Sequence, residues 1–324
     1  MTDMGKAMIA GAIALGLASP ALAADKWDMP TPYGDKNFHT ANIIEFAEDV
    51  KTGTDGELEI TVHSAGSLIK HPEIKNTVRR GLVPIGEVLI SRLGNEDAVF
   101  EVDAVPFLAT SYEDAEKLWA ASRPVIEEKL DEEGLKLLFA VPWPPQGLYA
   151  KQEVTSTDDL KGTKIRAYNT AGERFAELTG AVPTQVEVPD VPTAFTTGRV
   201  DAMITSPSTG ANTKAWDYVS HFHDTQAWLP KNMVIVNKKA FDRLDEKTQK
   251  AILDAAATAE ERGWAASKAE TDAKIAVMKE NGMTIVTPSE TLTEQLNAIG
   301  ETMAGEWAER AGEDGQKVLT EYQK

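Results

Sequence analysis

Two α/β lobes facing one another across a hinged cleft form the fold that the sequence predicts, on three observations. The chain has 324 residues, enough for two lobes with separate cores. Strand-like apolar runs alternate with helical patterns along its length, the order of a largely parallel sheet flanked by helices. A buried strand at Leu135–Pro142 runs into Trp143-Pro144-Pro145-Gln146-Gly147. Two prolines there continue neither a helix nor a central strand, so this segment reads as a cross-over between lobes.

Taken in order, residues 1–23 read as an export signal. Lys6 supplies the positive end, Ala7–Ala18 the apolar stretch and Ala21-Leu22-Ala23 the cleavage site before Ala24. That apolar run is too short to cross a bilayer, which takes about 20 residues. Lys26–Pro30 is a first strand with a polar exit, and Phe38–Lys51 is helical, with Ile43, Ile44, Ala47 and Val50 on one stripe. Leu58–His63 alternates like a half-buried strand, so strand, helix and strand predict a parallel pair. A small-residue loop, Ser64–Leu68, leads into a helix running to Arg80, and Val83–Ile90 is the next strand. Ligands of open α/β lobes bind beyond the carboxyl ends of the strands. The exits Thr31–His39, Ser64–Leu68 and Ser91–Arg92 should therefore meet at one crevice.

Ser111–Leu130 is a helix with Ser111 as its cap and Asp114 three residues on. Past the cross-over, Asp159–Thr170 reads as a turn and a short strand in which Ile165 and Arg166 face opposite sides. With Ile165 in the core, Arg166 faces solvent or a ligand. Gly172–Thr179 and Asp190–Thr197 are helices, the second closed by Gly198, with strands at Ala181–Val188 and Val200–Thr205. Ser206-Pro207-Ser208-Thr209-Gly210 is a hydroxyl-rich strand exit. Trp216–Trp228 leads to a strand at Asn232–Asn237 that returns to the first lobe. Asp245 caps a helix reaching Glu280, long for a globular domain. Ile285–Val286 is an edge strand, and Leu292–Tyr322 is helical.

The run DLKGTKIR (159–166), a helix, then GAVPT (180–184) and AFTTGRVDA (194–202) resembles the solute receptors of tripartite ATP-independent periplasmic (TRAP) transporters. The resemblance extends over nearly the whole mature chain and implies a two-lobe periplasmic binding protein fold. Its long helix, here 245–280, would span both lobes as a spine. One lobe would hold residues 24–145 and about 230–265, the other 146–229 and about 266–324. The resemblance also makes Arg166 the anchor of a bound organic acid, since a guanidinium fork matches a carboxylate with two parallel hydrogen bonds. Ligand would close the hinge, and the closed form would dock on a membrane permease.

Many receptors of this class carry a second arginine where this chain has Tyr149. With Trp143 and Trp228 beside the cross-over prolines, this favours an aromatic or compact apolar monocarboxylate; a hexuronate or a small hydroxy or 2-oxo acid is the alternative. Residues expected at the ligand are Arg166 with Tyr33, Phe38, Ser91, Arg92, Trp143, Gln146, Tyr149, Tyr168, Thr205, Ser206, Trp228 and Asn232. A sensor feeding a membrane kinase would use the same cleft.

The chain has no cysteine and a net charge of −18. Thiol chemistry is excluded, and nucleic acid and anionic lipid are poor partners. His221 and His223 fall on one side of an extended segment, but no third ligand has metal-site spacing. No nucleophile, phosphate-loop or dinucleotide signature is visible. The expectation is a periplasmic monomer without cofactor or metal that binds rather than transforms a small carboxylate.

Overall fold

The computed structural model describes residues 24–324. The expected export signal lies outside the described residues. In chain order the elements are β1 (Asp25–Pro30), α1 (Phe38–Gly53), β2 (Leu58–His63), α2 (Ile74–Arg79), β3 (Ile85–Leu89), α3 (Tyr112–Glu132) and β4 (Leu135–Pro142). The second lobe contains β5 (Gly147–Ala150), β6 (Lys164–Ala167), α4 (Thr170–Leu178), β7 (Val182–Gln185), α5 (Val191–Thr196), β8 (Ala202–Thr205), α6 (Pro207–Asn212) and β9 (His221–His223). The chain then returns through β10 (Lys231–Asn237), α7 (Lys238–Asp242), α8 (Glu246–Glu280), β11 (Thr284–Val286) and α9 (Glu290–Tyr322).

In the first lobe β1 pairs with β2 in parallel, Trp27 opposite Ile60, and β10 is antiparallel to both β3 and β4. The returning strand is apolar throughout because it is central and covered on both faces, with Met233 and Ile235 in one core and Val234 and Val236 in the other. The second lobe carries one sheet in the order β11-β9-β5-β8-β6-β7. Neighbouring β6, β7 and β8 run parallel, so their carboxyl ends point the same way, towards the first lobe.

The two cross-overs form one paired ribbon. Trp143 N–H donates to the Pro230 carbonyl (2.8 Å), Gln146 N–H to that of Trp228 (2.9 Å), and Ala227 N–H to that of Gln146 (2.9 Å). Helix α8 is the third connection. Asp245 caps it by accepting from Thr248 N–H, and its first half packs on α1 and β4, its second on α6 and β11. Gly263 sets the distance, since a Cβ there would lie 2.3 Å from Val141 Cγ2.

Two expectations are corrected. The helix running to Arg80 shrinks to Ile74–Arg79, because Pro72 sits in a preceding 3₁₀ turn and Lys70 before it is extended. The extended segment His221–His223 is β9, inside the sheet between β11 and β5, with Phe222 buried. Finally, α9 does not belong wholly to the second lobe. Leu292 and Leu296 pack there, but Trp307, Ala311 and Val318 join the first-lobe core with Leu118 of α3. Gly312, at φ +54°, breaks the helix in a backbone region that favours glycine. No described helix is long and apolar enough to cross a membrane.

Candidate ligand-binding site

The lobes enclose a cavity of about 370 Å³, mouth included. Tyr33, His71, Leu89 and Arg92 line it from the first lobe, and Trp143, Gln146 and Pro230 from the hinge ribbon. Arg166, Tyr168, Glu187, Val188, Thr205, Ser206 and Thr209 line it from the second lobe. Most stand at or just past strand ends, as expected for open α/β sheets.

Arg166 lies on β6 between β7 and β8. Its neighbour Ile165 is fully buried in the second-lobe core, so the strand turns Arg166 to the other side. Only 2% of Arg166 is exposed. Its Nε–H donates to the Val186 carbonyl (2.9 Å), and its guanidinium carbon stands 4.7 Å from the centre of the Tyr168 ring. Among the described residues no carboxylate forms an ion pair with it, whereas Arg92, on the same cavity, is paired with Glu187. Burial lowers the Arg166 pKa, opposed by the fields of Tyr168 and Glu187. A buried arginine facing a cavity without a protein counter-ion has the chemistry to take an anion.

The aromatic walls are tied inward. The Trp143 indole N–H donates to Asn232 Oδ1 (2.9 Å), and the Tyr33 hydroxyl donates to the same oxygen (3.3 Å). Trp228 Nε1–H donates to the Tyr168 hydroxyl (3.1 Å), which donates to Gln146 Oε1 (3.1 Å). Gln146 Nε2–H in turn donates to the Pro144 carbonyl (2.9 Å). Burial, the largest influence on Tyr168, pushes it up to about 12. The Tyr168 hydroxyl is neutral and occupied in both directions, so its ring serves as a platform.

Residues of the two lobes meet at the rim. Glu187 Oε1 accepts from Arg92 at 2.8 Å, and its Oε2 is 3.6 Å from His71 Nδ1. Arg92 also donates to the Tyr168 carbonyl (3.0 Å), and Asn169 Nδ2 donates to Ser91 Oγ (2.8 Å). The lobes are closed on one another. Burial raises Glu187, but the His71 hydrogen bond and the charge of Arg92 outweigh it and leave the carboxyl below its usual range. Burial pushes the His71 imidazole down, and its Nε2 accepts from Leu89 N–H (3.2 Å), so the ring is neutral with its proton on Nδ1.

The structure thus gathers Arg166, Tyr33, Arg92, Trp143, Gln146, Tyr168, Thr205 and Ser206 at one cavity. Phe38, Ser91, Tyr149, Trp228 and Asn232, also expected at the ligand, stand behind its wall. Phe38 packs edge-on against Trp143 (5.5 Å). Tyr149 is fully buried and holds the Ser206 carbonyl (3.0 Å). Trp228 is in the second-lobe core. Sequence reasoning missed His71, Leu89, Glu187, Val188 and Pro230, and marked Thr209 only as part of the hydroxyl-rich exit after β8. For Glu187 a signal existed, because the strand-end rule applied to the first lobe holds equally for the exit of β7. His223 accepts from Val154 N–H through Nε2 (2.8 Å) and turns Nδ1 to the Leu148 carbonyl (3.2 Å), so both nitrogens have backbone partners.

The sequence model of the family described as bacterial extracellular solute-binding protein, family 7 (DctP), matches residues 33–311. The chain belongs to this family. Its members include TRAP solute receptors, and three solved structures place this receptor among them. DctP7 of Bordetella pertussis, a receptor binding pyroglutamic acid, is 48% identical with a TM-score of 0.92, covering 93% of this chain and 100% of its own. DctP6 of the same organism, also binding pyroglutamic acid, is 44% identical (TM-score 0.91; 92% and 99% covered). A TRAP receptor from an unidentified marine microbe, solved with co-purified pyroglutamate, is 40% identical (TM-score 0.91; 93% and 99% covered).

Proposed function

We propose that this receptor captures pyroglutamate, or a small cyclic carboxylate of the same outline, outside the cytoplasm and delivers it to a TRAP permease. The observation that carries the reading is the buried Arg166 guanidinium, open to the cavity and without a protein carboxylate. A ligand carboxylate would take its outward N–H groups. Charge counting supports one negative charge on the ligand: Arg92 and Arg166 against Glu187, with His71 neutral, leave the cavity one positive charge in excess. Glu187 is an acceptor for a ring N–H and repels a second carboxylate. Thr205 and Thr209 offer hydroxyls to a ring carbonyl. The relatives described above bind a saturated lactam rather than an arene, and both indole N–H groups already have partners within the protein. An aromatic ligand therefore loses the support that Trp143 and Trp228 lent it.

Titration calorimetry of the protein from Ala24 onward with pyroglutamate, glutamate, benzoate and glucuronate tests this reading. Pyroglutamate should bind at least about 100-fold more tightly than glutamate, some 2.7 kcal/mol. Binding of benzoate or glucuronate without pyroglutamate overturns it.

A further inference from the structure

We infer that Glu87, which does not line the cavity, is a positioning residue that holds two of its aromatic walls in place through Asn232. The inference rests on the interlobe cavity being the ligand site, and not on which carboxylate fills it. Glu87 is the middle residue of β3, where Gly86 and Val88 face Ile74 and Val78 of α2 while Ile85, Glu87 and Leu89 face the other core. That other side packs against α1 and holds Phe46, Phe139 and Trp143. A carboxyl side chain there, 1% exposed, has no packing rationale. What it has is a chain of hydrogen bonds.

Glu87 Oε1 accepts from Asn232 Nδ2 at 2.7 Å, and Oε2 accepts from the Thr31 hydroxyl. The bond from Asn232 fixes its amide so that Oδ1 faces the opposite way. That oxygen then accepts both the Trp143 indole N–H and the Tyr33 hydroxyl. Without the anchor the amide is free to rotate and offer N–H groups to two donors, which breaks both bonds. Tyr33 and Trp143 touch edge-to-face at 4.9 Å and both line the cavity, so a turn of one amide moves two walls together.

The surroundings add a proton dependence. The titratable groups facing Glu87 are His39 of α1, its Nδ1 3.8 Å from Oε1, and Tyr33 from the loop after β1. Thr31 and Asn232, from the β1 exit and β10, are neutral. Among the described residues no lysine or arginine pairs with Glu87. Burial holds His39 well below its usual range and so uncharged, and it raises Tyr33. Burial also lifts Glu87 to about 7, against the Thr31 and Asn232 hydrogen bonds. Below that pH the acid is neutral; in either state Oε1 accepts from Asn232 and the amide stays anchored. Above it an unpaired buried charge sits behind a wall that faces an anion, and ligand affinity should fall.

The test is the dissociation constant of pyroglutamate between pH 5.5 and 8.5 for wild type, Glu87→Gln and Glu87→Leu, with far-UV circular dichroism to confirm folding. Wild type should weaken by roughly three- to tenfold as pH rises through 7. Glu87→Gln keeps an acceptor for Asn232 and should follow wild type within about twofold at pH 6 and stay flat. Glu87→Leu should bind at least about tenfold more weakly at every pH. A Glu87→Gln profile that retains the wild-type slope, or a folded Glu87→Leu that binds like wild type, overturns the proposal. If wild type ignores pyroglutamate the ligand reading fails, and the indole emission of Trp143, read as the difference from Trp143→Phe, still decides this one. It should shift across pH 7 in wild type and stay constant in Glu87→Gln; the same shift in both would sink it.

Discussion

Replacing Arg166 with methionine separates binding from stability. The guanidinium has two outward nitrogens for a carboxylate, and each charge-assisted hydrogen bond is worth about 1.5–3 kcal/mol where water is excluded. Losing both costs about 3–6 kcal/mol of binding, so the dissociation constant should rise by roughly two to four orders of magnitude. The fold should not suffer in proportion. Arg166 gives the ligand-free protein one hydrogen bond to a neutral acceptor, the Val186 carbonyl, and a face on Tyr168. Against these stands a cation kept almost wholly from water without a carboxylate partner, an arrangement that costs several kcal/mol. Arg166→Met should therefore melt, without ligand, at or above the wild-type temperature. Calorimetry gives the affinity and differential scanning the melting point. In wild type, ligand at 100 times its dissociation constant adds about 2.7 kcal/mol; in the variant the same concentration should add nothing measurable. Two results would refute the reasoning: binding within tenfold of wild type, or a ligand-free variant destabilised by more than about 2 kcal/mol.

Two further outcomes follow from the packing and the rim. Gly263→Ala adds a helix-favouring residue to α8 but puts its Cβ against Val141 and Asn42, so it should destabilise by about 1–3 kcal/mol; an unchanged or higher melting temperature would show that the spine has slack. Glu187 has a folded-state pKa below its unfolded value of about 4.3, with burial opposing the shift and His71 and Arg92 driving it. Its contribution to closure is present above that value and is lost as pH falls through the lower, folded one. Small-angle scattering of the ligand-free protein from pH 6 to pH 3 should show expansion only at the acid end, and Glu187→Gln should be expanded already at pH 6; a variant as compact as wild type means the Arg92 pair does not hold the lobes.

The local signals were strong where one residue type meets one local need. Asp245 and Ser111 are helix caps, and both accept from the amide three residues on. The alternation around Ile165 and Arg166 placed one side chain in the core and the other on the opposite face, which the structure turns to the interlobe cavity, because a strand has two faces and only one was apolar. The 245–280 helix was legible from its length. These features need no more than neighbours along the chain, and the resemblance to TRAP receptors rests on their order.

Contacts between segments far apart in sequence were left to the tertiary structure. Whether a tryptophan beside a proline stacks on a ligand or fills a core depends on what lies across from it. Trp143 lines the cavity, Trp228 does not, and the indole N–H of each finds a partner 60 or more residues away. The strand-end rule points to Glu187 at the exit of β7, but its partners, His71 and Arg92, belong to the opposite lobe and are brought to it only by folding. Glu87 looks in sequence like a polar interruption of a strand, and only the packing of β1, α1 and β10 around it shows an acid without a counter-ion. The sequence by itself determined the α/β elements and which face of its strand Arg166 takes, through periodicity, caps and strand faces, and their order carried the resemblance to two-lobe receptors. The tertiary structure alone decided the size, charge and polarity of the cavity, because these are set by side chains that the chain brings together only by folding.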